Sequence, residues 1–433
     1  MGDRVKRAWL LVLASAVSML GWGAILPYQY AYAANTRAWG GLVAAAACSL
    51  FSIGALVAAP LGGRVADRFS PARVVVVAQI VAAIASAFLI IAGTPVFFLL
   101  GMFVFGAGIS AAVPVETILV LRWVEPGDRR QVFALLSTGA AVGMAIGAFT
   151  AGYLVNLKAV DGMWPAFATA SVGFVISASL VGIAGHGAPR DEVSSTQDAP
   201  RGSAGAAIRI ILATPPLRWT AVITVTLALG FYAQFESGLP AYAITVLGVP
   251  AHTIGTAAAV NCLVVVALQM AVMKWTAKRA APSLLVAVGL IWVISWLLLA
   301  AASFMPALAG TMFVGVFGVF AIGETMYTPV LNPLTASLAP PGMVGVTLGM
   351  FAALQTGVSA AGPLLAGVAL SSGRGTLFVT VNVCISLIAV VAAFRLRSLL
   401  AGSPTSQPVD KPTAAGDSAR EAELPDLILP QAA

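Results

Sequence analysis

Charge is what this chain has least of. Asp, Glu, Lys and Arg make up 9% of its 433 residues, while 60% are hydrophobic. A soluble domain carries about 25% charge. The first 400 residues read as twelve apolar stretches, each of the roughly 20 residues needed to cross a bilayer. Lys and Arg are confined to the ends of these stretches and to the segments between them. Three acids lie inside: Glu116, Glu236 and Glu324. A carboxylate in hydrocarbon is expensive and marks a functional position by default. A membrane β-barrel is excluded, since it would alternate in strands of roughly 10 residues.

Other scarcities narrow the chemistry. The three cysteines, Cys48, Cys262 and Cys384, all fall in apolar stretches, which suits small core residues and neither a disulfide framework nor a zinc site. The two histidines lie between stretches, His186 in a polar segment and His252 in a short connection. Neither resembles a buried proton relay. There is no phosphate-cradling Gly-x-x-x-x-Gly-Lys-Ser/Thr, no His-Glu-x-x-His and no serine elbow. No enzyme, cofactor or metal is expected, and an ion gradient is the expected energy source.

The spans are expected near 8–31, 38–61, 73–93, 95–121, 131–157, 163–183, 217–246, 253–273, 281–302, 306–331, 344–370 and 374–394. The first run is too long and bulky for a cleaved leader and reads as the first helix. With a cytoplasmic N-terminus, the cytoplasmic segments hold 20 of the 23 Lys and Arg, leaving Arg37, Lys158 and Arg374 outside. That asymmetry orients the chain with both termini inside, as a multi-pass protein of the cell membrane. The net charge of +7 is therefore a topology signal and not a nucleic-acid footprint. Residues 184–216 read as a cytoplasmic linker between bundles at 1–183 and 217–397, and 398–433 as a disordered cytoplasmic tail. Pro114 precedes Pro126-Gly127 by twelve residues, and Pro329 precedes Pro341-Gly342 by the same interval, a weak internal repeat. The expected fold is all-α and polytopic, twelve transmembrane helices in two pseudo-symmetric six-helix bundles.

After the second span the sequence runs Gly62-Gly63-Arg64-Val65-Ala66-Asp67-Arg68-Phe69-Ser70-Pro71-Ala72-Arg73. This resembles the Gly-x-x-x-Asp-Arg-x-Gly-Arg-Arg/Lys loop of the major facilitator superfamily. Gly63, Asp67 and Arg68 match, Ser70 replaces the second glycine, and Arg73 remains of the basic cluster. Leu20-Gly21-Trp22-Gly23-Ala24-Ile25-Leu26-Pro27, Tyr232-Ala233-Gln234, Leu239-Pro240-Ala241-Tyr242 and Gly362-Pro363-Leu364-Leu365-Ala366-Gly367 are similar to the 12-helix drug:proton antiporter branch. The resemblance implies a gating latch at Gly63, Asp67, Arg68 and Arg73, and proton-coupled export of a small amphipathic compound by a monomer. Three positions depart from it. Met102 stands where that branch often has an arginine, Met144 follows Gly143 where it has proline, and Arg122 stands where an acid often ends the fourth helix.

Several residues carry two readings. Glu236 shares a helix face with Tyr232 and Pro240, at i, i+4 and i+8. It is a proton carrier or cation counter-charge, or else a solvated carboxylate at the external interface. Glu324 is a proton carrier or a structural group bonded to a neighbouring helix. Glu116 lies six residues from Arg122, roughly 9 Å of helix rise, and is a proton site or a partner of the gating loop. Gly139, Gly143 and Gly147 form a stripe for close helix packing, with a sliding contact between halves as the overlapping alternative; Gly362 and Pro363 belong to the corresponding packing helix. Tyr28, Gln29, Tyr232, Gln234, Asn261, Gln269 and Gln355 are the polar candidates for substrate contact. Export, uptake or uniport of a nutrient, and a non-transporting membrane sensor are the three functional readings.

Overall fold

A computed structural model describes residues 2–66, 68–125, 128–186, 204–276, 279–340, 343–371 and 373–401. Asp67, Pro126-Gly127, Pro341-Gly342, residues 187–203 of the linker and the 402–433 tail lie outside the described residues, as does the side chain of Glu236. The described chain is helical throughout, because a backbone in hydrocarbon must satisfy its own hydrogen bonds.

The helices are α1 (Gly2–Ala31), α2 (Gly41–Ala66), α3 (Pro71–Ile91), α4 (Pro95–Trp123), α5 (Arg129–Leu154), α6 (Trp164–Gly185), α7 (Ala204–Ala213), α8 (Pro215–Leu227), α9 (Leu239–Thr245), α10 (Ala251–Thr276), α11 (Ala281–Ala302), α12 (Ala309–Leu338), α13 (Val344–Ser371) and α14 (Gly375–Ala401). Proline at the first helical position of α3 and α4 follows the preference for that site. At the end of α4, Arg129 donates to the carbonyls of Leu121 (2.6 Å) and Val124 (3.2 Å), which have no partner within the helix. Gly40, Gly248 and Gly373 take positive φ in turns leading into α2, α10 and α14, which only glycine adopts freely. Part of the expected linker is itself ordered: α7 packs against α8 and α13.

Eleven helices among the described residues are long and apolar enough to cross a membrane. The remaining expected span, 217–246, is a composite rod. Between α8 and α9 lie two π-helical stretches, Ala228–Tyr232 and Gln234–Gly238. The amide of Ala233 reaches the carbonyl of Ala228, and that of Leu239 reaches Gln234, each five residues back. Pro240 has no N–H to give to the carbonyl of Glu236, which disfavours regular α-helix through the second stretch. Such π insertions concentrate at functional sites.

The two halves use the same set of helix pairs. In the first, α1 packs on α5 and α6, α3 on α4 and α6, and α2 on α4. In the second, the rod packs on α13 and α14, α11 on α12 and α14, and α10 on α12. Two seams join the halves, α2 with α13 and α5 with α10, and the internal twofold exchanges them. The chain is an all-helical, multi-pass membrane protein.

The glycine stripe on α5 faces α1 of its own half. A Cβ on Gly143 or Gly147 would fall on the carbonyl of Ala16 or Leu20, and one on Gly139 would touch Val12. The stripe is thus buried within one bundle, away from the seam. Gly362 receives the rod: a Cβ there would strike Ala233.

Candidate functional site: a cavity between the halves

Between the halves lies a cavity of about 430 Å³. Its wall comes from four elements: Leu26 and Gln29 of α1; Cys48, Phe51, Ser52 and Ala55 of α2; Tyr232, Ala233 and Ser237 of the π stretches; Ala352, Gln355, Thr356, Ser359 and Pro363 of α13. Exposure changes steadily along it. On α2 it rises from buried Cys48 to half-buried Ala55, and on α13 it falls from exposed Ala352 to buried Pro363. These helices run in opposite directions, so the cavity opens toward the end where α1 begins and is sealed at the other.

The seal is made by close approach across the seams. A Cβ on Gly367 would meet Ala45, one on Gly255 the carbonyl of Ala148, and one on Gly152 the backbone of His252. The rings of Tyr153 and His252 stack at 5.5 Å across the same seam. Tyr28 belongs here and not to the cavity wall: it is fully buried and its hydroxyl donates to the carbonyl of Ala148.

Three of the polar candidates line the cavity. Gln29 is 0% exposed, and neither its Nε2 nor its Oε1 has a hydrogen-bond partner. Gln355 and Tyr232 are half-buried, and the Tyr232 ring packs on Trp292 and Tyr327. Gln234 stands behind the wall, where its Nε2 donates to the carbonyls of Leu229 (3.3 Å) and Gly362 (3.4 Å), tying the rod to α13. Asn261 is buried between α10 and α12. Its Nδ2 donates to the carbonyl of Phe317 and to Oε2 of Glu324, each at 3.3 Å.

The carboxylates have separate surroundings. Glu324 is half-buried at mid-helix in the second half, with the Asn261 amide on one oxygen and Cys262 within electrostatic reach. Glu116 is half-buried inside the first half, with the side chain of Gln79 of α3 beside it. Neither lines the cavity. The backbone of Glu236 lies in the second π stretch, one residue from the wall residue Ser237. Of the loop residues, Arg68 and Arg73 are exposed, and Gly63 has open space around it.

The residues not anticipated from sequence are the hydroxyls of the wall and the buried phenol of Tyr327, which has no partner. The wall carried a readable signal. Ala352, Gln355, Thr356, Ser359 and Pro363 recur at short intervals, mostly of three or four residues, on an otherwise oily helix, the spacing of one helix face.

A cavity at a seam between two similar bundles, closed at one end, is the architecture of an alternating-access transporter. The family profile of the Major Facilitator Superfamily matches residues 11–363. The chain belongs to the Major Facilitator Superfamily. This superfamily chain is therefore a secondary transporter of a small molecule and not an enzyme. Among curated proteins it is similar to the "Multidrug resistance protein MdtH" of Photorhabdus laumondii, 26% identical over 149 residues. That match spans 34% of this chain and 37% of the relative's length. Among solved structures it is similar to a bacterial homolog of the human lysosomal transporter Spinster, with a TM-score of 0.69 at 17% identity over 93% of this chain and 99% of that one. A point mutant of the nucleoside transporter NupG gives 0.71 at 14% identity over 91% and 99%. The peptide transporter PepTSo gives 0.67 at 14% over 92% and 99%. At such identities these three share the superfamily fold and no more.

Proposed function

We propose that this transporter exports small amphipathic compounds in exchange for protons. The observation that carries this reading is the pairing of a mostly apolar, one-sided cavity with a separate, half-buried carboxylate, Glu324, held at mid-depth by Asn261. The described lining residues include no charged group, so the site suits an uncharged molecule with an oily body. The weak likeness to a multidrug resistance protein supports the same direction.

The charge asymmetry of the loops supports a cytoplasmic position for the open end of the cavity. Substrate enters from that side, and the halves rock about it. A proton taken up at Glu324 removes a charge whose burial is costly and releases the carboxylate from its bond with Asn261, so that the α10–α12 contact differs between the two protonation states. Glu236 is the second candidate carrier. The loop at Gly63, Asp67, Arg68 and Arg73 latches the halves on the cytoplasmic side when the cavity turns outward.

The test is efflux from cells expressing Glu324→Gln, Glu236→Gln and the double variant, with and without an uncoupler. We expect uncoupler-sensitive efflux of wild type to fall at least tenfold in Glu324→Gln while expression is kept. Full proton-dependent efflux in both single variants and in the double would remove the mechanism.

A further inference from the structure

The α5–α10 seam is sealed at one end and open at the other. At the sealed end Gly152 of α5 abuts His252 of α10, and Ala148 abuts Gly255, so the two helices run antiparallel. Followed turn by turn toward the open end, the same faces carry Thr138, Ala134 and Gln131 on α5 and Val266, Met270 and Lys274 on α10, all of them exposed. This register sets Asp128, just before α5, level with the turn of α10 that holds Lys274. Closing the open end therefore brings a lysine ammonium to an aspartate carboxylate.

Beside Asp128 lies a second cavity, of about 220 Å³. It is built within the first half, from the start of α1, the end of α4 and the start of α5, and it shares no lining residue with the cavity between the halves. Its floor is apolar: Trp123, Val124 and Val132 are buried there. Its rim is accessible. Trp9 of α1 is 59% exposed, and Arg4 bridges across to Glu125 with 3.0 Å between Nη1 and Oε1. Asp128 also lines the cavity and is exposed, and its carboxylate has no hydrogen bond or ion pair among the described residues.

These groups define a ligand. Arg4 is matched by Glu125, so Asp128 leaves the described lining with one negative charge to spare, which attracts a cation and repels a carboxylate. The exposed indole of Trp9 adds cation–π attraction, and the apolar floor and the volume suit one aromatic ring. The seam leads to the same head group independently, since the group that reaches Asp128 on closure is an ammonium. We propose that this cavity is a second ligand site, for a small aryl-alkyl ammonium compound, and that the bound ligand takes the place of Lys274 and holds the seam open. The site is separate from the cavity assigned to transport. The ammonium of phosphatidylethanolamine offers the same head group, so the amine can come from a lipid or from solution.

The experiment measures equilibrium binding to the full chain in maltoside micelles, which carry no amine. The probes are phenethylamine, 2-phenylethanol, which keeps ring and size without the charge, and 3-phenylpropionate, which reverses it. We expect phenethylamine to bind about fivefold or more tightly than either, from one ion pair and one cation–π contact. Asp128→Asn should erase the preference with an unchanged melting temperature. Lys274→Gln, which removes the competing ammonium, should tighten phenethylamine binding about twofold or more. Arg279→Gln, which removes an equal charge stacked on Trp275, should not. No binding, equal binding of the three probes, or a preference that survives in Asp128→Asn overturns the proposal. So does a response to Lys274→Gln no larger than that to Arg279→Gln. The wild-type probe comparison decides the matter even if a variant does not fold. In nanodiscs of phosphatidylethanolamine against phosphatidylglycerol, loss of phenethylamine binding identifies the lipid as the occupant, and retention identifies the soluble amine. None of these readouts uses efflux, so failure of proton-coupled export leaves them standing, and their failure leaves that reading untouched.

Discussion

The two halves of this transporter share one scheme of helix pairs and fill it with different material. In the first half, glycines bring backbones together. A Cβ on Gly23, Gly54, Gly62, Gly106, Gly143 or Gly147 would fall on a backbone carbonyl, at Met144, Phe103, Ala111, Phe51, Ala16 and Leu20 respectively. In the second half, rings fill the same space. Phe231, Tyr232, Phe235, Trp292, Trp296, Phe317, Phe320 and Tyr327 form one continuous set of aromatic contacts around the π-helical rod. Glycines there such as Gly315, Gly349 and Gly357 have open space beside them. Trp292 and Trp296 also donate to the carbonyls of Phe320 (3.2 Å) and Gly230 (3.1 Å). Backbone-to-backbone contact has no give, whereas side chains can change rotamer. The cavity draws its wall from both halves, with the irregular π-helical part supplied by the half that packs with side chains.

That contrast is open to direct attack. The largest effect should come from Gly143→Leu. Four extra carbons have nowhere to go against the Ala16 carbonyl, and since overpacking alone costs about 1–3 kcal/mol with backbone displacement added, folded protein should fall below detection by fluorescence size exclusion. Trp292→Ala should be next. It removes four ring contacts and a buried hydrogen bond, and by the cost of large-to-small changes in cores it should lose about 3–5 kcal/mol, seen as a lower melting temperature in nanodiscs with the fold retained. Gly357→Ala should have the smallest effect, a stabilisation of up to about 1 kcal/mol from helix propensity alone, because nothing lies within 4 Å of the added carbon. A tolerated Gly143→Leu, or a disruptive Gly357→Ala, would break the comparison.

The legibility of the sequence followed a similar divide. The spans appeared where expected, with several helices running past their apolar core: α12 continues to Leu338 through Pro329 and Pro333, and α14 to Ala401. The broken seventh span was foreshadowed by Pro240, but the two π stretches were not, since a one-residue insertion in hydrogen-bond register leaves no mark in composition. Gln29, Tyr232 and Gln355 stood out as polar residues in oily runs, and they line the cavity. Tyr28, Gln234 and Asn261 stood out equally and do not line it; they hydrogen-bond to protein groups instead. The stripe at Gly139, Gly143 and Gly147 was evident as a packing face, while its partner, α1 and not the opposite half, was not.

By itself the sequence determined that the chain is helical and crosses a membrane many times, and where its apolar runs lie. Hydrocarbon excludes charge and demands long unbroken apolar runs, and that is a property of the string. Tertiary structure alone decided which side of each helix looks at lipid, at a neighbour or at the cavity. In water, an apolar stripe on a polar helix announces its buried face. In a bilayer the surroundings of a helix are as apolar as its partners, so the pattern that would reveal the face is absent. Only packing assigns Glu324 to Asn261, Glu116 to Gln79, and an unpartnered Gln29 to the cavity wall.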